Sequence, residues 1–351
     1  MSTDAEKQYW NDRFEALEES TYDETGKYIS DISDAIDHAF STIDKEIKAL
    51  YQQYAKDNKM SLADAQQYLQ NSDVKEFKAD VRDYIKMAES GDKQFTQQLD
   101  ALSARARISR LEALKARAAM EIHKAYDKQS TYISGACENA LQHNYLVTAY
   151  DIQTGKGRYE PFDKLDSKSI KRALSNPWTP DNKTFSDRVW TNREQLVHTV
   201  HQEMTRGFVS GVDTAGMTKY IQSRMGVAKY AAERLVRTET AYFASLGSHD
   251  SYDDCDVAKY QILATLDNRT SDICQDMDGQ IFDLKDFAVG ETAPPFHPYC
   301  RTTTIPVIEG GSVIEEKRSA RGDDGKTYEV PGEITYKDWE SQYVDGNDDE
   351  E

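Results

Sequence analysis

Cys274, His297 and Cys300 are the side chains best suited to chemistry in this chain. They fall inside one stretch, LATLDNRTSDICQDMDGQIFDLKDFAVGETAPPFHPYCRTTTIP, from Leu263 to Pro306. Thiolate and imidazole donors favour Zn²⁺ over Mg²⁺ or Ca²⁺. His297-Pro298-Tyr299-Cys300 is an H-x2-C spacing, which lets two ligands reach one ion from a single turn. Pro294, Pro295 and Pro298 stiffen that turn and lower the entropy lost on ordering it. A closed structural site needs a fourth ligand. Cys255, Asp267, Asp276 and Asp278 are eligible, and none stands at a diagnostic spacing. Two other readings stay open beside zinc: a Cys274–Cys300 disulfide, and buried thiols with no ligand.

Other polar groups surround this set. Asp267-Asn268-Arg269-Thr270 follows a candidate strand, and Arg237 and Glu239 lie on a preceding helix. Arg237 is placed to bind the Asp267 turn or a cluster of carbonyls. A structural polar network fits these residues better than catalysis, because no nucleophile–base pair stands at a useful spacing. The chain has no G-x-x-x-x-G-K-[ST], no G-x-G-x-x-G and no H-E-x-x-H. His198 and His201, with Glu203 nearby, are better explained as helix-surface polarity than as a metal pair. Arg105, Arg107, Arg110, Lys115, Arg117 and Lys124 make one helix locally basic. They read first as a solvated face paired with acidic neighbours, and second as a face for DNA phosphates or an acidic partner.

Bulk composition narrows the classes. The chain has 351 residues, 38% of them apolar and 30% charged, with a net charge of −19. Mean hydropathy is −0.77. This suits long helices with wide solvated faces. The charge argues against a dedicated sequence-reading nucleic-acid domain, since phosphate affinity rests on Lys and Arg. Four unevenly spaced cysteines are too few for a disulfide scaffold. MSTDAEKQYWND has no basic n-region or apolar core, and no apolar run approaches the roughly 18 residues of a membrane span. The expectation is a protein made in a reducing cytoplasm.

The elements that must position the site are mostly helical. Tyr9, Trp10, Phe14 and Leu17 suggest a short N-terminal helix that docks on its own domain, or an arm for a partner. Ile29, Ile32, Ile36, Phe40, Ile43, Ile47, Leu50 and Tyr54 predict a long amphipathic helix. Shorter helices are expected over 61–69 and 74–85, then a long one from Phe95 to about Tyr126. Past Tyr126 the period fades, and YDIQTGKGRYEPF reads as a hairpin or loop. Helices resume at Ser167, over Phe185–Phe208, from Asp213 to Met225 with Gly226 as a stop, and over Lys229–Leu246. Strands are expected over Val257–Leu266, at Gln280-Ile281-Phe282 after an Asp278-Gly279 turn, and last over Thr302–Val307. The fold class is mainly α: an elongated helical N-terminal region, then a compact α+β domain with a small antiparallel sheet. The boundaries are 1–127 for the long helices, 128–183 for an irregular connector, 184–308 for the α+β domain and 309–351 for an acidic, largely disordered tail. Tyr336, Trp339 and Tyr343 are a possible docking motif in that tail.

Three pieces of the chain together resemble a known family. RTETAYFASLGSHDSY, LATLDNRTSDICQDMDGQIF and PPFHPYCRTTTIP occur in the order of the C-terminal domain of Mu F-like tailed-phage minor head proteins, the head morphogenesis family. The resemblance covers about residues 185–307. The motif residues it carries over are Arg237, Glu239, Asp267, Arg269, Cys274, Asp278, Gly279, His297, Cys300 and Arg301. It implies a non-enzymatic virion component in the phage head interior, assembled in the host cytoplasm with the portal and capsid or scaffold components. Such a component would influence head assembly or DNA ejection. Many relatives have a further cysteine just before the one matching Cys274, where this chain reads Arg269-Thr270-Ser271. That departure weakens a four-ligand zinc site. The residues leave two alternatives: a metal-dependent hydrolase or toxin-like enzyme centred on Cys274, His297 and Cys300, and a DNA-associated internal head protein.

Overall fold

The computed structural model describes residues 4–57, 110–156, 165–210, 214–308, 318–322, 326–331 and 334–344. Five helices come first: α1 (Asp4–Asp57), α2 (Arg110–Lys156), α3 (Ser167–Ser175), α4 (Phe185–Ser210) and α5 (Thr214–Asp254). Then come β1 (Lys259–Leu263), the short helix α6 (Asp272–Met277), β2 (Ile281–Asp283) and β3 (Thr303–Val307). A hairpin of β4 (Arg318–Arg321) and β5 (Thr327–Val330) and the single-turn helix α7 (Tyr336–Trp339) follow. The fold is mainly helical, with a long N-terminal helical region and a small antiparallel sheet in the C-terminal part. The helices expected over 61–69 and 74–85 lie outside the described residues, as does the predicted helix before Arg110.

Three helices run further than their sequences suggest. α1 is unbroken through the stretch read as a separate N-terminal helix or arm, because no proline interrupts it and Gly26 alone costs only about 1 kcal/mol. α2 continues past Tyr126 to Lys156, so residues 127–156 are helix rather than connector, hairpin or loop. Its buried stripe there is Ile133, Ala136, Cys137, Ala140, Leu141, Tyr145, Ala149 and Ile152. Half of that stripe is alanine or cysteine, which keeps helical spacing but gives a weak hydropathy signal. The remainder of the hairpin reading, 157–162, lies outside the described residues. α5 passes through Gly226 without stopping, since Met217, Ile221, Met225, Ala228 and Ala232 carry one buried stripe across it.

Contacts gather the chain into two compact units, each built from separated segments. One takes residues 29–133 and 185–233. Its buried side chains include Ile32, Ile36, Ile43 and Ile47 of α1, Leu114 and Ile122 of α2, Val189, Val200 and Met204 of α4, and Ile221 of α5. Cross-helix bonds link these elements: Arg117 to Glu46 at 2.6 Å, Thr218 to Asp44 at 2.9 Å, and His201 Nε2 to the Lys115 carbonyl at 2.9 Å.

The other unit takes residues 1–28, 134–184 and 234–351. Its sheet has the order β2-β1-β3, antiparallel throughout. The register sets Tyr260 opposite both Phe282 and Pro306. Trp10, Phe14 and Leu17 pack with Ile152, Tyr252, Val257, Tyr260, Ile262, Leu263 and Ile305 in one core cluster. The N-terminal aromatic patch is therefore a wall of this unit's own core. α2 and α5 approach closely at Gly247, where a Cβ would stand 2.4 Å from the Leu141 carbonyl oxygen. Gly279 takes φ +76° and returns the chain from α6 into β2, donating its N–H to the Ile262 carbonyl.

The predicted disordered tail is ordered where it is described. β4 pairs with β5, and Ala320, Val330, Ile334, Tyr336 and Trp339 bury themselves with Leu266. Thr303–Val307 is thus not the last strand. Tyr336 and Trp339 dock within their own unit, where the Trp339 indole N–H donates to the Tyr328 hydroxyl at 3.0 Å. Residues 345–351 lie outside the described set.

Candidate metal centre and the cleft beside it

Cys274, His297 and Cys300 come from three places at one end of the sheet. Cys274 sits on α6, His297 in the proline-rich loop, and Cys300 just ahead of β3. Tyr299 between the last two has φ +63°. That left-handed step is uncommon for an aromatic residue, and it turns the chain between His297 and Cys300. The Cys300 N–H closes the turn on the His297 carbonyl at 3.2 Å.

The ligand atoms converge. Cys274 Sγ lies 3.2 Å from His297 Nε2 and 3.7 Å from Cys300 Sγ, and all three atoms lie within 4.8 Å of one another. Two sulfurs about 2.3 Å from a tetrahedral centre would stand about 3.8 Å apart, so the donor set fits Zn²⁺. The Cys274–Cys300 disulfide is not formed, as all four cysteines are free. His297 Nδ1 stands 2.8 Å from the Pro298 carbonyl. An N–H donated there fixes the tautomer and leaves the Nε2 lone pair facing the thiols. The contact between the thiols shifts them in opposite directions. The bond from Cys274 lowers the Cys300 thiol to about 6 against its burial. The bond to Cys300, and then burial, push Cys274 well above the usual thiol range.

None of the four eligible fourth ligands joins them. Asp278 accepts the Ala264 N–H at 2.7 Å with one oxygen and the Tyr336 N–H at 2.9 Å with the other. Asp276 pairs with Lys337 at 2.7 Å. Cys255 packs against the core that contains Tyr252. Asp267 takes a bidentate pair from Arg301, at 2.6 and 2.7 Å, and the Arg269 N–H at 3.0 Å. Burial would raise the Asp267 carboxyl; its bonds to Arg301, the charge of that guanidinium and the bond from Arg269 outweigh it and hold it at about 2. Among the described residues the set is three ligands.

The other polar residues singled out in the sequence thus hold the frame. Arg237 does not reach the Asp267 turn. It donates to the Tyr22 carbonyl of α1 and lies over the Tyr22 ring, 3.5 Å from its centroid. Glu239 is buried and accepts the Trp178 indole N–H at 2.8 Å, with Trp178 stacked on Tyr242. On the basic helix, Lys115 pairs with Glu112, Arg117 with Glu46 and Lys124 with Glu121. Arg105 and Arg107 lie outside the described residues, and so does the side chain of Arg110. His201 is half-buried, and desolvation is the first cause that pushes its imidazole below the usual range.

Two spaces flank the three ligands. His297 lines an open cleft of about 860 Å³ together with Glu15, Glu18, Glu19, Tyr22, Arg269 and Arg321. Cys300 lines a smaller cavity of about 60 Å³. Glu18, Tyr22, Tyr299, Arg301 and Thr303 border both. Burial raises the Glu18 carboxyl to about 7, against the lowering effect of Arg301 and Arg237. Sequence reasoning missed Glu18, Tyr22, Asn144 and Ser245 as neighbours of the site. Their one signal is polar residues on a packed helix face, such as Thr25, which is only 3% exposed.

Comparison with known proteins adds one match. Residues 198–305 match the family described as Phage Mu protein F like protein. The matched stretch contains Arg237, Glu239, Asp267, Cys274, His297 and Cys300. No curated protein and no solved structure matches the chain.

Proposed function

We propose, from the phage Mu F-like domain over residues 198–305, that this protein is a minor component of a tailed-phage head that acts in head morphogenesis. The domain match is the observation that carries the reading. In this proposal the chain joins the procapsid with the portal and capsid or scaffold proteins, is present in few copies, and supports assembly or DNA ejection from inside the head. No helix among the described residues is long and apolar enough to cross a membrane, which agrees with assembly away from a bilayer. The test is co-expression of the chain with the portal, scaffold and major capsid proteins of one phage genome, followed by sedimentation of the particles. The chain is expected to co-sediment at a few copies per particle and to be lost from particles lacking the portal. Particles that form normally and never contain it would overturn the proposal.

Within that role, Cys274, His297 and Cys300 would hold a zinc ion. When bound, zinc would supply a cross-link between α6 and the loop before β3, or a Lewis acid if a water completed its coordination. The residues orient the set without it: Pro298 fixes the His297 tautomer, and Ala264, Phe296 and the two thiols pack as an apolar cluster. One observation favours a second reading, a metal-dependent hydrolase. His297 lines the cleft, and no fourth Cys, His, Asp or Glu closes the set among the described residues. The coordination of the bound metal separates the two readings.

A further inference from the structure

Cys274 and Cys300 stand close enough to be joined. Their sulfurs are 3.7 Å apart, and a disulfide holds its sulfurs about 2.05 Å apart. The closing movement, less than about 2 Å, is shared between the six-residue helix α6 and the loop ahead of β3. The pair is also set apart from the other two thiols. Cys137 lies in the buried stripe of α2, and Cys255 packs against the cluster that contains Tyr252. Cys274 and Cys300 share a small cluster with Ala264 and Phe296. A thiol already in contact with its partner reacts with it intramolecularly, a large advantage over any thiol arriving from outside. Access to the two sulfurs is unequal. Cys300 lines the cavity of about 60 Å³, which has room for molecules of the size of water, whereas Cys274 lines neither that cavity nor the cleft. A small oxidant therefore meets Cys300 first, with Cys274 beside it to resolve the product.

We infer that Cys274 and Cys300 form a reversible dithiol–disulfide couple, oxidised by small peroxides, which switches this turn between a thiol form and a cross-linked form. In the first step the Cys300 sulfur attacks hydrogen peroxide. The O–O bond breaks, one oxygen stays on Cys300 as a sulfenic acid, and the other leaves as water with the thiol proton. In the second step the Cys274 sulfur attacks the Cys300 sulfur. The S–S bond forms, the S–OH bond breaks, and the hydroxide leaves as water with the Cys274 proton. The two sulfurs give up two electrons and one peroxide becomes two waters. A reducing cytoplasm keeps the pair as thiols. On the phage-head reading proposed above, a particle released from its host passes into an oxidising medium, and the couple changes state at that passage. On the zinc reading, the cross-linked form spends both thiolates, leaves His297 as the one remaining ligand of the three, and releases the metal.

The test uses the full-length reduced protein, treated with one equivalent of hydrogen peroxide and then unfolded for a count of free thiols. The count is expected to fall from four per chain to two. Peptide mass mapping should find Cys274 joined to Cys300, with Cys137 and Cys255 still reduced. Dithiothreitol, and a glutathione buffer poised as in the cytoplasm, should each restore four thiols. In Cys274→Ser, which circular dichroism shows to be folded or not, Cys300 should stop at the sulfenic acid, trapped by dimedone. If that variant is unfolded, the mapping of the wild type decides alone. Four thiols surviving the peroxide, or oxidation spread over Cys137 and Cys255, would overturn the inference. A bridge that the glutathione buffer fails to open would overturn it too, because the pair would then be a permanent cross-link. The same counts on chelator-treated protein separate this inference from the zinc reading. Protein that binds no zinc yet forms the bridge keeps the couple and loses the metal, whereas zinc-loaded and chelated protein that both resist oxidation lose the couple.

Discussion

At Asp267 one carboxylate organises the turn after β1. It is 3% exposed at its side chain, meets Arg301 through two bonds, and accepts the Arg269 N–H; the Asp267 carbonyl in turn accepts from the Tyr336 hydroxyl at 3.0 Å. Removing one partner of such a buried pair strands the other charge, so Asp267→Asn should destabilise the protein by about 3–5 kcal/mol in urea unfolding. The pH dependence has a definite sign. The folded carboxyl sits at about 2, below the roughly 3.9 of an unfolded aspartate. Its stabilisation is full above about pH 4 and is lost as pH falls toward 2. Acid titration of unfolding should show that loss in wild type and a flatter limb in Asp267→Asn. The three-ligand set makes the other residue-scale prediction. Reduced wild-type protein should carry about one zinc per chain by mass spectrometry of metals, and Cys274→Ser or His297→Ala should lose it. X-ray absorption showing a water in the fourth position would favour the hydrolase reading. Metal-free wild type with both variants folded would remove the zinc proposal and leave a hydrogen-bonded thiol–imidazole turn. How much of this was legible depended on proximity in sequence. His297 and Cys300 announce their pairing by spacing, whereas the bond between Arg301 and Asp267 spans 34 residues and leaves no local pattern.

The first seven turns of α1 belong energetically to the sheet. Trp10, Phe14 and Leu17 are at most 4% exposed and sit in the same cluster as Val257, Tyr260 and Ile305. Burying each is worth roughly 1.5–3 kcal/mol, and truncating a large aromatic here should cost about 3–5 kcal/mol. A fragment of residues 198–305, the stretch that matches the family, lacks that wall. It should be insoluble or molten by circular dichroism and NMR, and co-expression with a segment spanning residues 1–28 and 134–184 should improve its folding. A fragment with sharp, dispersed NMR signals on its own would contradict this. The helical stripes themselves were readable from spacing, as Ile32–Ile36–Ile43–Ile47 illustrates. Helix ends were not. A lone Gly226 and an alanine-rich stripe after Ile133 both look like interruptions, and in each case burial of the continuing face outweighs a propensity cost of about 1 kcal/mol. The hairpin and α7 were hidden by the acidic residues around them, although Val330, Ile334, Tyr336 and Trp339 supply enough apolar surface to order them.

Taken whole, the molecule is acidic, at −19, and mainly helical, and residues 198–305 in its second half match the family described as Phage Mu protein F like protein. Composition and the family resemblance made that class legible, but not the partition into units built from separated segments, because nothing along the chain shows that Leu17 and Val257 enter the same core cluster. That closure has a consequence in time. A ribosome that has just released Trp10, Phe14 and Leu17 must add roughly 240 more residues before Val257 exists. At the usual 5–20 residues per second this takes on the order of 12–50 s. For that interval the apolar face of a newborn helix has no partner of its own. The core of this unit cannot close before Val257 and the strands after it are made, and a chaperone or a neighbouring nascent chain has its best access to that face during the wait.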